Sequence, residues 1–283
     1  MSNKQKSLTQ VLRASLVAGL LAPGIAGAIS YDVSNWVVDT NGATRAISVS
    51  QSGPTTTFVN ATNAAAPVSQ FFGNSTIGLS PTTLTLANIG DTISLTGTAT
   101  FTGGGTYGNT QWRIGLFYRD NRPGVNTGIQ GTNWLGYFMG AGQGAASSFY
   151  ERVDPNTGMY TSGTGATVAG SGNNPGVNFD AGVYNLSLNI LYSAVNTLQF
   201  NFSIIEQAGG SGYSSISATI NDVSPTTYSF DRVGMLSGGS VNATQIKYDN
   251  LVVNYTPVPE PSSLALAGLG LAGWFALRRR VNA

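Results

Sequence analysis

Apolar and polar residues alternate along much of this chain, and this two-residue period restricts the fold more than any other feature. In residues 91–101, Ile93, Leu95, Ala99 and Phe101 share one parity, and serine or threonine occupies most of the other. Successive side chains of a β-strand point to opposite faces of a sheet, so this pattern predicts a half-buried strand.

Similar runs recur between Gly-, Asn-, Asp- and Pro-rich connections. They cover residues 82–86, 111–118, 134–140, 184–192, 198–205, 215–220 and 246–255. Residues 30–257 show no convincing amphipathic helix. The sequence therefore predicts an all-β fold, an antiparallel two-sheet sandwich. The glycine-rich residues 161–178 are predicted to form a surface connection, and such long connections favour a sandwich over a small closed barrel.

The C-terminus has three successive parts that differ from the rest of the chain. They are the motif Val258, Pro259, Glu260 and Pro261, the apolar run of residues 264–277, and the basic cluster Arg278, Arg279 and Arg280. The two prolines fix φ and lack an N–H, which keeps the motif extended and accessible. The 14 apolar residues span about 21 Å as a helix, less than a bilayer core of ~30 Å. A transmembrane helix over about 262–277 is therefore expected to be a temporary stop.

These three parts, in this order, resemble the C-terminal tail of PEP-CTERM proteins. The resemblance implies that an exosortase-like enzyme of a Gram-negative-type bacterium cuts the chain near Pro259–Pro261. It also implies a transient anchor in the inner membrane, followed by delivery to the cell surface or extracellular matrix. An ordinary membrane anchor is the alternative, but it does not require Pro-Glu-Pro at its outer edge.

The N-terminus carries a second targeting signal. Lys4, Lys6 and Arg13 precede an apolar stretch, residues 14–22, and the small residues Ala26 and Ala28 follow. This order is typical of a secretory signal peptide, which signal peptidase is expected to cut after Ala28. The predicted organisation is a signal peptide at 1–28, a β-sandwich domain at 29–256 and a sorting signal at 257–283. The basic residues at both ends predict that the intervening chain is exported across the inner membrane.

Composition excludes several function classes. The residues between the two signals hold seven basic and eleven acidic side chains, a net charge of −4, so nucleic-acid binding lacks its electrostatic driving force. The chain has no cysteine and no histidine. It therefore has no disulfide framework, no Ser-His-Asp or Cys-His catalysis and no His-dependent zinc site.

A second resemblance involves several separate strands. Residues 91–95, 113–117, 180–186, 231–234 and 248–253 resemble strand sequences of concanavalin A-like (laminin G-like) jelly rolls, with a galactose-binding-like sandwich as the alternative. Folds of this group include both lectins and glycan-cleaving enzymes, so the fold alone does not select a function.

Catalysis is not expected. Glycosidases of this fold resemble one another in a Glu-x-Asp-x-x-Glu strand, which this sequence lacks. Glu151 and Asp154 are the only closely spaced acidic pair, and Pro155 after them indicates a turn with solvated charges. We therefore predict a non-catalytic structural or glycan-binding domain that works in an exopolysaccharide or biofilm matrix. The alternative is a secreted glycoside hydrolase or polysaccharide lyase with divergent site residues.

Glycan binding would require exposed aromatic rings beside polar groups. The candidates are Trp134, Tyr137, Arg119 and Asp120, whereas Trp112 shares its parity with Ile114 and Leu116 and is predicted to lie in the core. No metal or other cofactor is expected. Structural calcium is a weaker alternative, with Asp231 and Asp249 as oxygen donors near the last strands.

Overall fold

The chain folds into antiparallel sheets that enclose one apolar core. The computed structural model describes residues 27–33, 36–38, 48–59, 68–71, 83–103, 112–119, 134–141, 148–153, 166–171, 177, 179–216, 219–237 and 243–258, and none of these residues is helical. Residues Ala28–Thr256 form one compact unit. Within the described ranges every strand pairing is antiparallel. The prediction of an all-β antiparallel sandwich is confirmed.

The first sheet contains the longest strands. Its order is β14 (Ser214–Ile216), β13 (Thr197–Ala208), β12 (Gly182–Ala194), β7 (Thr92–Thr102), β18 (Gln245–Thr256), β4 (Thr55–Val59) and β3 (Ser48–Ser52). Two short strands join it: β1 (Ile29–Asp32) pairs with β18, and β15 (Ile220–Asp222) pairs with β13. The two central strands, β7 and β18, are therefore far apart in the sequence but adjacent in the sheet.

The second sheet packs against the first across the core. Its order is β11 (Ala166–Ser171), β10 (Ser148–Arg152), β9 (Trp134–Ala141), β8 (Trp112–Arg119), β17 (Arg232–Ser237), β5 (Val68–Phe71) and β2 (Val37–Val38). A separate two-stranded ladder pairs β6 (Leu84–Thr85) with β16 (Ser229–Phe230).

The core follows from the alternation in the sequence. In β7 the predicted inward residues Ile93, Leu95, Ala99 and Phe101 are all buried. Aromatic rings join the two sheets: the Phe101 and Trp112 centroids are 5.4 Å apart, and those of Tyr137 and Phe200 are 4.5 Å apart. Trp112 is fully buried, which confirms its predicted place in the core.

A bulge interrupts the central pairing of β7 with β18. The register shifts between Asp249 and Val252, and Asn250 adopts φ 51°. A Cβ on the facing residue, Gly97, would lie 2.8 Å from Leu251 Cα. Glycine is therefore required where the bulged backbone approaches β7.

Two predicted segments differ from the structure. Residues 215–220, predicted as one strand, contribute to β14 and β15, which pair with different parts of β13. Residues 161–178, predicted as a surface connection, contain the strand β11, which pairs with β10. The low apolar content of this segment misled the prediction, because an edge strand is held by backbone hydrogen bonds and does not require apolar side chains.

Candidate functional site

The predicted sorting signal begins directly after the last strand. Strand β18 ends at Thr256, and Val258, the last described residue, is exposed. Pro259, Glu260, Pro261, the basic residues Arg278–Arg280 and the predicted helix 262–277 lie outside the described residues. None of the described residues belongs to a helix with the length and hydropathy needed to span a bilayer.

The predicted signal-peptide junction lies at the edge of the sandwich. Ala28 is exposed and the next residue, Ile29, opens β1, whereas Ala26 lies outside the described residues. Ile29 pairs with Tyr255 of β18. Cleavage after Ala28 would therefore leave every residue of β1 in place.

Arginines and aromatic residues concentrate on the outer face of the second sheet, the face turned away from the core. Strand alternation and register place seven side chains there, which we call the arginine–aromatic face. They are Arg113, Phe117, Trp134, Phe138, Tyr150, Arg152 and Arg232. The inward neighbours in β8, Trp112, Ile114 and Leu116, belong to the core cluster instead.

Cation–π contacts organise this face. The Arg113 guanidinium lies 5.7 Å from the Phe138 ring centroid and 5.6 Å from that of Tyr150. The Arg232 guanidinium lies 5.4 Å from the Trp134 centroid, and its Nε is 3.7 Å from Asp231 Oδ1. A guanidinium within about 6 Å of an aromatic ring is attracted by the ring electrons, and its N–H groups are suited to recognition of carboxylates.

The structure separates the residues predicted to bind glycan. Trp134 belongs to the arginine–aromatic face but is only 2% exposed, and Tyr137 is buried on the opposite, core-facing side of β9. Neither ring is therefore an exposed platform. Arg119 pairs with Trp134 by backbone register, whereas its side chain and the whole of Asp120 lie outside the described residues.

A buried polar cluster surrounds the Tyr137 hydroxyl. This hydroxyl is 2.8 Å from Asp222 Oδ2 and 3.3 Å from Glu151 Oε1. The Thr226 N–H donates to Glu151 Oε1 at 2.8 Å, and the Ser224 N–H donates to Asp222 Oδ1 at 2.9 Å. The Tyr137 hydroxyl can donate its single proton to only one of the two carboxylates. If one carboxyl group is protonated, it can donate to the hydroxyl oxygen, and both carboxyl groups then bond to Tyr137.

Glu151 was expected in a solvated turn, and this expectation is wrong. It lies in β10 and is only 7% exposed. Burial raises its pKa, the Asp222 carboxylate raises it further, and the N–H of Thr226 opposes the rise. Burial likewise raises the pKa of Tyr137, which stays protonated. The alternation from Phe149 to Glu151 was the available signal that Glu151 faces inward.

We predict that Glu151→Gln becomes more stable relative to the wild type as pH rises above about 4.5, the ordinary pKa of the side chain. Where the folded pKa is raised, the folded protein binds more protons than the unfolded chain, so wild-type stability falls with rising pH through this interval. Glutamine cannot ionise, so the Glu151→Gln variant does not lose stability in this way as pH rises. The measurement is urea unfolding of both proteins across the pH range.

Asp249→Asn is the matched control for the pH series. Burial alone would raise the Asp249 pKa, but bonds from Lys247 and Thr55 outweigh it and lower the pKa. The stability that Asp249 contributes is therefore lost as pH falls, and the difference from the wild type should change in the opposite direction. A pH-independent difference between Glu151→Gln and the wild type would contradict the prediction.

A second carboxylate shapes the turn between β13 and β14. Glu206 accepts N–H bonds from Gly210, from Gly212 at 2.7 Å and from Tyr213 at 2.9 Å. These bonds fix the backbone that places the Tyr213 ring against Phe179 in the core, with centroids 5.3 Å apart. The contacts of Glu206 therefore indicate a role in turn structure.

The two calcium candidates belong to different parts of the fold, and each has its own protein partners. Asp231 precedes β17, is 2% exposed and pairs with Arg232. Asp249 lies in β18, where its carboxylate is 2.9 Å from Lys247 Nζ and accepts from Thr55 Oγ1 at 2.6 Å. Across the described ranges, no three acidic side chains come together as metal ligands would.

Solved structures similar to the chain are legume lectins and other jelly-roll proteins. Peanut lectin in complex with a nine-residue peptide is 9% identical, covers 81% of this chain and 96% of its own, and gives a TM-score of 0.45. Arcelin-5, a lectin-like defence protein from Phaseolus vulgaris, is 8% identical, with coverages of 82% and 99% and a TM-score of 0.48. The alginate lyase Aly36B is 13% identical, with coverages of 82% and 97% and a TM-score of 0.37.

Sequence comparison gives a match at the C-terminus. No curated protein matches the chain. Residues 257–280 match the PEP-CTERM protein-sorting motif, which contains the Pro-Glu-Pro sequence, the apolar run and the arginine cluster. The chain therefore carries a PEP-CTERM sorting motif directly after its β-sandwich, and this motif indicates an exported surface protein processed by an exosortase.

Proposed function

We propose that this protein is exported, held briefly in the inner membrane, cut near Pro259–Pro261 and delivered to the cell surface or exopolysaccharide matrix. The observation that carries the proposal is the sorting motif at 257–280, which starts one residue after β18 ends. Cutting there would remove the apolar run and the arginines without taking a strand from the sandwich. Export through the signal peptide and a transient membrane helix are parts of the same proposal.

Replacing Pro259, Glu260 and Pro261 together with alanine should leave the protein in the inner membrane. The processing enzyme would lose its extended recognition sequence, while the apolar run would still stop transfer. The measurement is membrane fractionation with mass spectrometry of the C-terminus. Replacing Ser262 and Ser263 with alanine is the control, and it should not block processing. Unchanged surface display of the triple variant would refute the proposal.

Within the sandwich, we propose non-catalytic binding of an acidic polysaccharide beside Arg113 and Tyr150, because Tyr150 is the partly exposed member of the otherwise buried arginine–aromatic face. The Arg113 guanidinium lies 5.6 Å from the Tyr150 ring centroid, whereas Arg152 and Arg232 are too deeply buried to contact a polysaccharide. Carboxylated sugars fit such donors, and their rings stack on aromatic faces. The paired carboxylates Glu151 and Asp222 bond to Tyr137 beneath this sheet, which supports a structural role for them.

Arg113→Gln should weaken binding of a polyuronate roughly tenfold or more, since about 1.5–3 kcal/mol is typical for a hydrogen bond to a charged group. Arg113 is the arginine to test because it is 7% exposed, against 0% for Arg152 and 2% for Arg232. Lys247→Gln, on the first sheet, is the matched control. Binding is measured by calorimetry and chain length by chromatography.

The same experiment separates the candidate functions. Retained polyuronate length with bound protein supports a binding domain. Shortened chains would establish the glycan-active enzyme instead, and absence of binding to polyuronate and to neutral dextran would leave a structural role in the matrix.

A further inference from the structure

Both termini of the sandwich emerge at the same end. Ile29, the first residue of β1, pairs with Tyr255, and Thr256, the last residue of β18, pairs with Thr92 at the start of β7. The turn between β12 and β13 lies at this end too, because Leu191 also pairs with Thr92. We call this the terminal end, and define it by residues 29, 86–92, 192–197, 222–228 and 255–256.

Among the sandwich residues whose exposure the structure describes, most of the large exposed aliphatic side chains lie at this end. Ile29 is 45% exposed, Ile89 51%, Val195 70% and Val223 70%. Val195 is in the β12–β13 turn, and Val223 follows Asp222, which pairs with Leu198 beside that turn. Within the described part of residues 28–256, the one other large aliphatic side chain of this exposure is Val59 at 36%, which pairs with Gln245 at the opposite end.

Tyrosine rings accompany these aliphatic groups. The Tyr192 and Tyr228 ring centroids are 5.0 Å apart, and both side chains are partly exposed. Tyr255, also partly exposed, donates its hydroxyl proton to the Thr85 carbonyl at 2.9 Å. A ring with an apolar body and a polar tip is the side chain enriched where hydrocarbon meets water at a bilayer surface.

The two acidic residues at this end are bonded to protein groups. Asp91 is fully buried and accepts N–H bonds from Ala87 at 2.8 Å and Asn88 at 2.9 Å. Asp222 accepts from Tyr137 and Ser224. Carboxylates held in this way lose less solvation when an apolar phase approaches than fully hydrated carboxylates do.

The length of the following segment determines what the terminal end can meet. Seven residues separate Thr256 from Leu264, where the apolar run begins. Fully extended, eight residue steps span at most about 26–29 Å, so an inserted run would hold Thr256 within that distance of the hydrocarbon core. The polar headgroup region occupies part of this distance, because a whole bilayer measures about 40–45 Å against ~30 Å for its core.

We propose that the terminal end rests on the outer surface of the inner membrane while the C-terminal segment is inserted, with Ile89, Val195 and Val223 in the interfacial region. The partner is the lipid bilayer. Exposed apolar groups next to an anchor enter the interface because their transfer out of water is favourable. This inference rests on the proposed transient anchoring, and release at Pro259–Pro261 would free the surface again.

The absence of cysteine makes the test direct, because each introduced cysteine is the single labelling site in the full chain. Variants Val195→Cys, Val223→Cys and Val59→Cys carry a bimane fluorophore, and Ala267→Cys reports on the apolar run. The proteins are reconstituted in vesicles of phosphatidylethanolamine and phosphatidylglycerol that contain a lipid with a nitroxide near the head of its acyl chain. We expect several-fold stronger quenching at 195 and 223 than at 59.

Each result has one meaning. Strong quenching at 267 with equal quenching at 195 and 59 overturns the inference and leaves the anchoring intact. Absence of quenching at 267 overturns both. A fluorescence shift at 195 that depends on protein concentration and persists without nitroxide lipid would identify a second copy of the chain as the partner, and would also overturn the inference.

Discussion

Replacing Gly115 with alanine is expected to lower the free energy of unfolding by about 3 kcal/mol or more. A Cβ at this position would lie 2.1 Å from the Tyr137 carbonyl oxygen and 2.5 Å from Phe138 Cα. Both are backbone atoms of β9, so no side chain can turn away to make room. Overpacking typically costs about 1–3 kcal/mol, and displacement of a central strand places this change at or above the upper limit.

The position of Gly115 explains why the effect extends to the candidate site. It pairs with Phe138 on one side and with Gly234 on the other, in the middle of the second sheet. It also lies between Arg113 and Phe117, on the strand that carries part of the arginine–aromatic face. The substitution is therefore expected to weaken polyuronate binding as well as stability.

Gly182→Ala is the control for the loss of glycine itself. Its new Cβ would lie 3.1 Å from the Ala208 carbonyl oxygen, and 3.3 Å from both Gly210 N and the Tyr184 ring, so these neighbours would have to shift by only a few tenths of an ångström. A compatible Gly→Ala change can stabilise by about 0.4–1 kcal/mol through the unfolded chain, so its net effect should be close to zero. Urea unfolding measures both variants. Equal urea midpoints of unfolding for Gly115→Ala and the wild type would contradict the prediction, because they would mean that β9 leaves room for a Cβ at position 115.

The strands of the core could be predicted because burial and alternation coincide in them. In β7 every second residue from Ile93 to Leu95 and from Ala99 to Phe101 is buried, as the sequence pattern indicated. Gly97 interrupts this alternation, and the neighbouring residues of β7 do not explain why. It serves the bulge at Leu251, which is 154 positions away in sequence and becomes a neighbour only after β7 and β18 pair.

The polar clusters were missed for the same reason. Tyr137, Glu151 and Asp222 come from three separate segments and meet only in the folded sandwich. Local sequence around Glu151 suggested a turn, but the pairing of β10 with β9 places Glu151 opposite Tyr137 and turns it inward. Trp134 could be assigned to a strand but not to an open surface, because alternation cannot show whether the outer face of a sheet is covered.

Replacing Trp112 with alanine is expected to cost about 3–5 kcal/mol, the range for removal of a buried large aromatic side chain. The indole is fully buried, with the Phe101 centroid 5.4 Å away and the Phe179 centroid 5.7 Å away. Its Nε1–H donates to the Tyr248 hydroxyl at 3.0 Å, and this hydroxyl donates to Met235 Sδ. The chain of contacts passes from β8 to β18 and back to β17, so it joins the two sheets.

A double-mutant cycle separates the hydrogen bond from the packing. Tyr248→Phe leaves the indole N–H buried without this acceptor, which should cost about 1–3 kcal/mol. Trp112→Phe removes the donor and part of the ring volume. Because the two residues bond to each other, Trp112→Phe with Tyr248→Phe should cost less than the sum of the single changes. Urea unfolding of the four proteins measures the coupling. If the two single changes in the free energy of unfolding add up to that of the double variant, the hydrogen bond does not contribute to stability. Packing alone would then hold the sheets together here.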